Sequence, residues 1–563
     1  MESYTAIIII AALLVLTAAI MIIRENKESR NRFIERTEKN WGKLPKIKQT
    51  AEESESITHY FRDRILEQKS FYVDDITWND CDMDRIFRQM NSALSSPGED
   101  VLYYWLRTPV AEPGLLAERE KIISYYSSHT DRRRNILRIL NEIGRMKKMS
   151  VYDHLRRLRE AEKIGSGKYI ALCILMVIGL VMLFIHPVAA LAVLIPVAAM
   201  NIYVYLRQKD RLGIFVRSFS CVLRLTEAAG KLASCNDEII NTYADELKDL
   251  RRKLNSFGRG AFLVTSSGNT GTGMGAALLE YLKILFHLDL IKFDQMIDAY
   301  RGNEDACMRI FEIAGELDAA IAVASYREYL GTWCRPELVE DDHGFTEAQD
   351  LYHPLLKAPV PVTFSIRGGN LITGSNASGK STFLKSTAIA SILAQSVNTV
   401  PAKSFRASRY RIYTSMALRD DIGSGESYFI VEIKSLKRIL DAAEEEGLPV
   451  LGIVDEVLRG TNTIERISAS AQILKRLAGK KAVILAATHD IELSYILEEI
   501  YTNYHFTEKI EGSDVVFDYM LHSGRAVSRN AITLLEVCGY GSDLAGAARE
   551  QAVRFEETGE WKL

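Results

Sequence analysis

The stretch LITGSNASGKSTFLKST, residues 371–387, combines three local patterns. An apolar run predicts a β-strand, a turn rich in Gly and Ser follows it, and a lysine with two hydroxyl residues opens a predicted helix. Residues 374–381 match the pattern GxxxxGK[ST] of a phosphate-binding loop. The glycines let backbone N–H groups turn inward, and the helix adds its positive N-terminal end. The stretch therefore predicts a nucleoside triphosphate site in a parallel α/β domain.

The loop and the first helical turn have distinct predicted roles. Lys380 is expected to reach the β- and γ-phosphates, and the Ser381 hydroxyl is expected to bind Mg²⁺. ATP and Mg²⁺ are therefore the predicted cofactors. The predicted nucleotide-binding residues of this stretch are Gly374, Ser375, Asn376, Ala377, Ser378, Gly379, Lys380, Ser381 and Thr382.

Two further apolar runs end in the polar side chains that such a site needs. LPVLGIVDE (residues 448–456) ends in Asp455, expected to hold Mg²⁺ directly or through water, and in Glu456, expected to polarise the attacking water. KAVILAATHD (residues 481–490) ends beside His489, which can hydrogen-bond a γ-phosphate or the water. A surface turn is the alternative for the acidic pair, but the apolar residues before it favour a buried strand.

At this point the chain resembles the MutS family. TGSNASGKST, DEVLRGTNT and ATHD are similar to the family motifs GPNxGGKST, DExGRGTST and ATHY. The resemblance covers roughly residues 75–160 and 210–540 and is densest over 350–500. It implies an α/β P-loop NTPase of the ATP-binding-cassette type that hydrolyses ATP, preceded by a mostly α-helical core and lever domain.

The resemblance also implies a homodimer, because the family holds its nucleotide between two subunits. It puts Ser427 where the family has a serine that reaches the other subunit's γ-phosphate. His353 matches the element of the family that lies beside the adenine. The sequence departs from the family at Ala377, Ser378, Asn462, Glu465 and Arg466, but none of these changes removes a predicted phosphate or Mg²⁺ ligand.

Two apolar regions predict membrane segments. Residues 5–23 carry no charge and are long enough to cross a bilayer core of about 30 Å. Residues 169–206 form two apolar halves separated by His186-Pro187, which predicts a hairpin of two spans. A signal peptide and a buried soluble hairpin are the respective alternatives. Basic residues such as Arg24, Lys168 and Arg207 flank the spans on the side expected to face the cytoplasm.

These patterns predict a multi-pass protein of the cell (inner or plasma) membrane with a cytoplasmic ATPase domain. The family's mismatch-reading domain is absent from the place where the first span and a linker stand. The predicted order is a membrane anchor (1–23), a linker (24–74), a helical core-like part (75–168), a transmembrane hairpin (169–206), a helical lever-like part (207–343) and the ATPase domain (344–563).

Composition narrows the remaining choices. The formal net charge of −3 gives no global sign of nucleic-acid binding. Seven cysteines without a CxxC pair indicate neither a zinc site nor a disulfide framework. A basic run over residues 132–159 is consistent with a nucleic-acid patch or with a helix face that leans toward anionic lipid.

Three functions remain open at the level of sequence. The first is a membrane-anchored MutS-like ATPase whose lever helices transmit the effect of ATP binding. The second is ATP-dependent recognition of mismatched or branched DNA in mismatch repair or damage sensing, and the sequence leaves DNA binding open. The third is ATP-driven transport, although three spans per chain are few for a pathway and carry no charged residue.

Overall fold

The structure is a computed structural model of the chain. It describes residues 17, 21, 24–25, 27–28, 30–46, 49–68, 70–109, 112–265, 274–375, 378–416, 428–458, 461–511, 514–526, 532, 535 and 539–559. The predicted membrane anchor therefore lies almost wholly outside the described residues. Asn376, Ala377 and Ser427 lie outside them as well.

The chain divides into two compact units. The helical unit comprises Met1–Gln68, Met90–Tyr104 and Lys121–Tyr326, and the α/β unit comprises Lys69–Gln89, Trp105–Glu120 and Arg327–Leu563. Two short segments from the N-terminal half thus pack with the C-terminal half. The domain boundaries predicted from the sequence divide the chain into consecutive ranges. They therefore do not group these two segments with the C-terminal half.

Helices account for the described chain before residue 331, as the apolar spacing predicts. They are α1 (Ala51–Gln68), α2 (Asp75–Asp80), α3 (Met83–Met90), α4 (Ser96–Arg107), α5 (Pro113–Ser128), α6 (Thr130–Ile143), α7 (Val151–Glu160), α8 (Gly167–Met182), α9 (Pro187–Ala233), α10 (Glu238–Asn241), α11 (Ala244–Lys253), α12 (Asn255–Gly258), α13 (Phe262–Thr265), α14 (Met274–Phe286), α15 (Leu288–Arg301) and α16 (Glu304–Leu330).

The longest of them, α9, joins the apolar hairpin to the helical unit. It has 47 residues, a length of about 70 Å at 1.5 Å per residue. Its first part packs with α8, and its later part packs with α6, α7 and α11. The predicted break at His186-Pro187 is confirmed, since α8 ends at Met182 and α9 begins at Pro187.

Among the described residues, one helical stretch is long and apolar enough to cross a membrane. It is Pro187–Lys209, with 23 residues and a mean hydropathy of 2.0. The sequence predicted a second crossing helix here, but α8 has only 16 residues, which is short for a bilayer core. The sequence interpretation did not predict that α14 packs on both hairpin helices. Asn201 Nδ2 of α9 donates to the Leu285 carbonyl at 2.7 Å.

Much of the basic run forms contacts inside the helical unit. The Arg133 guanidinium lies 3.5 Å from the Trp41 ring centroid, and Arg145 Nη1 lies 3.3 Å from Glu99 Oε1. On the same surface, Glu142 of α6 pairs with Lys231 of α9 at 2.5 Å. Lys231 follows Arg207 by 24 residues, about 36 Å along α9. Helix α6 therefore lies too far from the apolar hairpin for its basic residues to face the same lipid. This distance disfavours the interpretation of those residues as a lipid-facing surface.

The α/β unit is built on a largely parallel sheet. Its order is β12-β9-β4-β8-β7-β6, and only β12 runs antiparallel to its neighbour. A second sheet has the order β1-β5-β2-β3, and β10 pairs with β11. The strands are β1 (Glu337–Val339), β2 (Phe345–Leu351), β3 (Val362–Arg367), β4 (Gly369–Thr373), β5 (Ser404–Ser408), β6 (Arg411–Ser415), β7 (Val450–Asp455), β8 (Ala482–Ala487), β9 (Tyr501–His505), β10 (Glu508–Glu511), β11 (Asp514–Phe517) and β12 (His522–Ser523).

Helices connect these strands, as expected for parallel pairs. They are α17 (Lys380–Val397), α18 (Tyr428–Glu444), α19 (Thr463–Ala478) and α20 (Ile491–Ile496). A further helix, α21 (Ser542–Thr558), follows the last of these strands. All residues of β4, β7 and β8 are buried. The prediction of three core strands from the three apolar runs is confirmed.

In the helical unit, α4 and α16 approach closely at one glycine. A Cβ added to Gly315 would lie 2.5 Å from Val101 Cγ2 and 2.7 Å from the Pro97 carbonyl oxygen. Near this contact, Asp318 accepts hydrogen bonds from the backbone N–H groups of Leu94 and Ser95. The approach therefore requires a residue without a side chain at position 315.

Gly315→Ala is expected to destabilise the helical unit by about 1–3 kcal/mol, because the added methyl group overlaps a backbone carbonyl and a buried valine. Gly213→Ala is the matched control. Position 213 also lies inside a long helix, but nothing lies within 4 Å of an added Cβ, so a gain of about 0.5–1 kcal/mol is expected. Chemical denaturation of the full chain measures both values. Equal effects would contradict the close helix approach.

Candidate functional site

The predicted phosphate-binding loop connects β4 to α17 at the carboxyl end of the sheet. Gly374 has φ +143° and Gly379 has φ +110°, conformations that residues with a side chain rarely adopt. A Cβ on Gly374 would lie 2.9 Å from the Phe506 carbonyl oxygen. The two glycines therefore permit the turn of the loop. Gly374 also permits its close packing against Phe506, which follows β9.

The polar side chains of this loop converge on its interior. Lys380 Nζ donates to the carbonyl oxygens of Gly374 and Ser375, each at 2.7 Å. Ser378 Oγ donates to the same Ser375 carbonyl at 2.8 Å. Ser381 is exposed at the start of α17. The loop thus encloses an ammonium group, while a hydroxyl group at the helix N-terminus stays open to a ligand.

The acidic pair and the histidine meet at the same sheet edge. Asp455 ends β7 and is buried, and Glu456 follows it with φ +61°. Glu456 Oε1 lies 3.0 Å from Nε2 of His489, which follows β8. The backbone N–H of Glu456 donates to the Ala487 carbonyl at 3.0 Å. Parallel pairing of β7 and β8 therefore brings together two side chains that are 33 positions apart in the sequence.

A buried carboxylate holds the turn after Glu456. Glu432 Oε1 of α18 accepts a hydrogen bond from the Leu458 backbone N–H at 2.6 Å. Leu458 has φ +61°, a conformation that is unfavourable for a residue with a bulky side chain. The hydrogen bond from Glu432 stabilises this conformation. Beside it, Arg466 donates to both oxygens of Asp490 at 2.9 and 2.6 Å. The sequence interpretation missed Glu432, because this contact depends on how α18 packs.

A cavity of about 450 Å³ opens beside the loop. Its polar lining residues include Ser375, Lys380, Ser381, Thr382 and Glu456. Its apolar and aromatic lining includes Leu351, His353, Leu356, Pro359, Val360, Val362, Phe383, Phe506 and Tyr519. A volume of this size and a mostly apolar lining with a few polar groups are typical of small-molecule sites.

His353 and two aromatic rings belong to the cavity lining. His353 Nδ1 accepts a hydrogen bond from the Leu355 backbone N–H at 3.3 Å. Burial, with a smaller effect of the Lys385 charge, lowers the pKa of His353 to about 4. Phe506 and Tyr519 line the cavity from the chain segment after β9. No motif in the sequence pointed to these two rings.

The structure therefore brings together most of the residues that the sequence predicted for this site. The described residues among the predicted loop, the acidic pair, His489 and His353 all belong to the α/β unit, and several of them line one cavity. Ser427, Asn376 and Ala377 lie outside the described residues. Their predicted roles stay predictions.

Comparison with known proteins agrees with this geometry. Residues 370–556 match MutS domain V. A curated relative, the DNA mismatch repair protein MutS of Microcystis aeruginosa (strain NIES-843 / IAM M-2473), is 29% identical over 292 residues. Over residues 370–556 the chain is therefore similar to the MutS family. The resemblance predicted from the motifs is confirmed, and the matched range contains every candidate site residue except His353.

The match covers a limited part of the two proteins. It includes 48% of this chain and 32% of the curated relative, so the chain spans about a third of the length of the curated relative it matches. The family match itself lies within the α/β unit, over residues 370–556.

Replacement of His353 is expected to remove a pH dependence of stability. The pKa of His353 is about 4 in the folded chain and about 6.5 in an unfolded one. The unfolded state binds more protons between these values, so stability falls as the pH drops from 7 to 5, by about 2 kcal/mol at this site. Urea denaturation at both pH values should show that His353→Gln loses this increment. The exposed control, His343→Gln, should keep it, and equal slopes for all three proteins would contradict the assignment.

Proposed function

We propose that this chain is a P-loop ATP hydrolase that couples MgATP binding to a conformational change of its helical unit. The observation that carries the proposal is the contact between Glu456 and His489 at 3.0 Å, beside a loop that holds Lys380. An acceptor for a water proton and a cation for phosphate oxygens thus lie at one edge of one sheet. This combination suits attack of water on a terminal phosphate.

Each polar group has a role in this reaction. Lys380 binds the β- and γ-phosphates, and backbone N–H groups of the loop surround them. Glu456 polarises the attacking water, and His489 orients the Glu456 carboxylate and contacts the γ-phosphate side.

Ser381 and Asp455 would hold Mg²⁺, which neutralises charge on the β- and γ-phosphates when bound. The donor set fits such an ion. In the part of the chain that the structure describes, no group of three or more His, Cys, Asp or Glu side chains could hold a metal alone. Mg²⁺ commonly takes only one or two protein ligands and completes its shell with phosphates and waters.

The apolar and aromatic lining of the cavity suits a nucleobase. Tyr519 and Phe506 offer ring faces, and His353 is neutral at physiological pH because burial lowers its pKa. A neutral imidazole can pack on a base without the cost of a buried charge. These residues would bind the adenine of ATP, while the loop binds its phosphates.

A homodimer would complete the site. In the related family the nucleotide lies between two subunits, and the position of Ser427 matches the serine that reaches across. Exposed apolar side chains support an association surface on this unit: Ile464 is 80% exposed near the start of α19, and Ile430 and Ile433 are exposed on α18. ATP-dependent dimerisation of purified protein would support this assembly.

The apolar hairpin is proposed to lie in a membrane. Its tip and flanks are exposed and apolar, with Phe184 at 92% and Val188 at 84% exposure. Lys168 and Arg207 stand at its base beside Tyr169 and Tyr203, a composition typical of the headgroup region. Helix α9 continues without a break into the helical unit, so it could carry a motion between that unit and the membrane.

DNA recognition is the second candidate function. The curated relative is a DNA mismatch repair protein, which favours an ATP-gated contact with mismatched or branched DNA. ATPase rates with mismatched, branched and intact duplexes distinguish the two functions. Stimulation by one DNA structure, weakened by salt as phosphate contacts require, would favour the second function.

Glu456→Gln should separate binding from hydrolysis. The amide keeps the size of the side chain but cannot accept the water proton, so the single-turnover rate is expected to fall at least 100-fold with little change in ATP affinity. Lys380→Ala should instead weaken binding more than tenfold. Fluorescent ATP binding and phosphate release measure the two effects. Glu446→Gln, at an exposed position, is the control, and hydrolysis at the wild-type rate by Glu456→Gln would refute the proposed mechanism.

Cysteine labelling tests the membrane hairpin. Phe184→Cys is expected to react with an impermeant maleimide in intact cells, because the tip lies on the outer side. Lys209→Cys, at the end of the apolar stretch of α9 that is farther from this tip, should react only after permeabilisation. If both positions need permeabilisation, the hairpin does not cross the membrane.

A further inference from the structure

A segment from the N-terminal half covers the edge of the large sheet. This edge segment, residues 74–85, contains α2 and the start of α3 and belongs to the α/β unit. In the described sheet β6 is the last strand and pairs with β7 on one side. An uncovered edge would leave its other backbone N–H groups without acceptors.

Side chains of the edge segment provide those acceptors. Thr414 donates its backbone N–H to Thr77 Oγ1 at 3.2 Å, and Met416 donates its own to Asp80 Oδ2 at 3.0 Å. The Thr414 hydroxyl donates to the same Asp80 oxygen at 2.7 Å. Thr77 and Asp80 are both buried. They replace a neighbouring strand at the end of β6, and Met416 is the last described residue before the stretch that contains Ser427.

Two ion pairs tie the same segment to two helices of the unit. Asp74 Oδ2 lies 2.5 Å from Arg438 Nη1 on α18, and Arg438 also donates to the Thr414 carbonyl. Asp82 Oδ2 lies 2.9 Å from Lys385 Nζ on α17. The edge segment therefore contacts β6, α18 and the helix that begins at the phosphate-binding loop.

The pair between Asp82 and Lys385 lies close to the nucleotide cavity. Lys385 follows Lys380 by five residues, about 7.5 Å along the helix. The charges of Lys385, Asp82 and Arg85 all influence the pKa of His353, which lines the cavity. None of these three charged residues lines the cavity itself. A shift of α17 on phosphate binding would thus act on Asp82 directly.

We propose that the edge segment relays nucleotide occupancy from α17 to β6 and α18, with Lys385, Asp82 and Asp80 as positioning residues. Lys385 and Asp82 transmit the movement of α17, and Asp80 transmits it to Met416. From the edge segment the chain continues through α3 and enters the helical unit at Met90. The relay deepens the proposed function and rests on it, because it requires that α17 binds the phosphates.

The alternative is that the edge segment only covers the sheet. A purely structural cover would lose stability when its contacts are removed, but it would not respond to nucleotide. Coupling through packed side chains needs direct evidence of a response at both ends. The test must therefore measure a nucleotide-dependent change as well as folding.

Hydrogen exchange of the full chain, with and without MgATP, measures this response. In the wild type, MgATP is expected to slow exchange over residues 75–104 at least threefold. Lys385→Met should reduce this protection to less than 1.5-fold, while the dissociation constant for ATP changes less than threefold. The exchanged pair, Lys385→Asp with Asp82→Lys, should restore at least half of the protection. Lys437→Met is the matched control, since it breaks a pair with Asp441 of similar length on α18.

The outcomes separate the relay from the proposed function. If the wild type binds no ATP, the proposed function fails. If it binds ATP but residues 75–104 show no protection, or Lys385→Met keeps the full protection, the relay is overturned. If Lys385→Met lowers the unfolding temperature of the nucleotide-free protein, Asp82→Asn and the exchanged pair decide the matter. Protection in Asp82→Asn equal to that of the wild type, or no restored protection in the exchanged pair, would also overturn the relay.

Discussion

Parallel pairing of β4, β8 and β7 is the constraint on which the candidate site depends. Ile372 pairs with Ala487, and Ala487 pairs with Asp455, so three strands end at nearly the same level. The glycine-rich loop, the acidic pair and His489 each follow one of these ends. Because all residues of these three strands are buried, polar side chains can reach a ligand where each strand ends. The sheet thus positions chemical groups that no local sequence preference could bring together.

The three motifs could be found from the sequence because each consists of contiguous residues. An apolar run followed by polar residues marks the end of a core strand, and the order of three such runs suggested a common edge. Phe506 and Tyr519 could not be found in this way, since they reach the cavity only because β9 pairs with the other side of β4. Glu432 and Asp80 act on backbone N–H groups far away in the sequence. The packing of residues 69–89 with the C-terminal half likewise depends on long-range contacts.

The apolar hairpin shows the same division between local and long-range information. Proline at position 187 predicted the turn, and the exposed apolar side chains agree with the hydropathy pattern. The continuity of α9 was not predicted, because the apolar part and the charged part looked like separate elements. Once they form one helix, the apolar hairpin and the helical unit cannot move independently without bending it. Helix α6 packs along the later part of α9, and its Arg133 contacts Trp41 inside the same unit.

Photoaffinity labelling with 8-azido-ATP is the decisive experiment, because it reports both binding and the orientation of the nucleotide. In the presence of Mg²⁺, we expect the azido group to modify peptides that contain Tyr519 or His353, and unlabelled ATP to compete. This result would locate the base beside the aromatic lining of the cavity and leave the phosphates for the loop around Lys380. Absence of Mg²⁺-dependent labelling, or labelling confined to peptides of the helical unit, would contradict it.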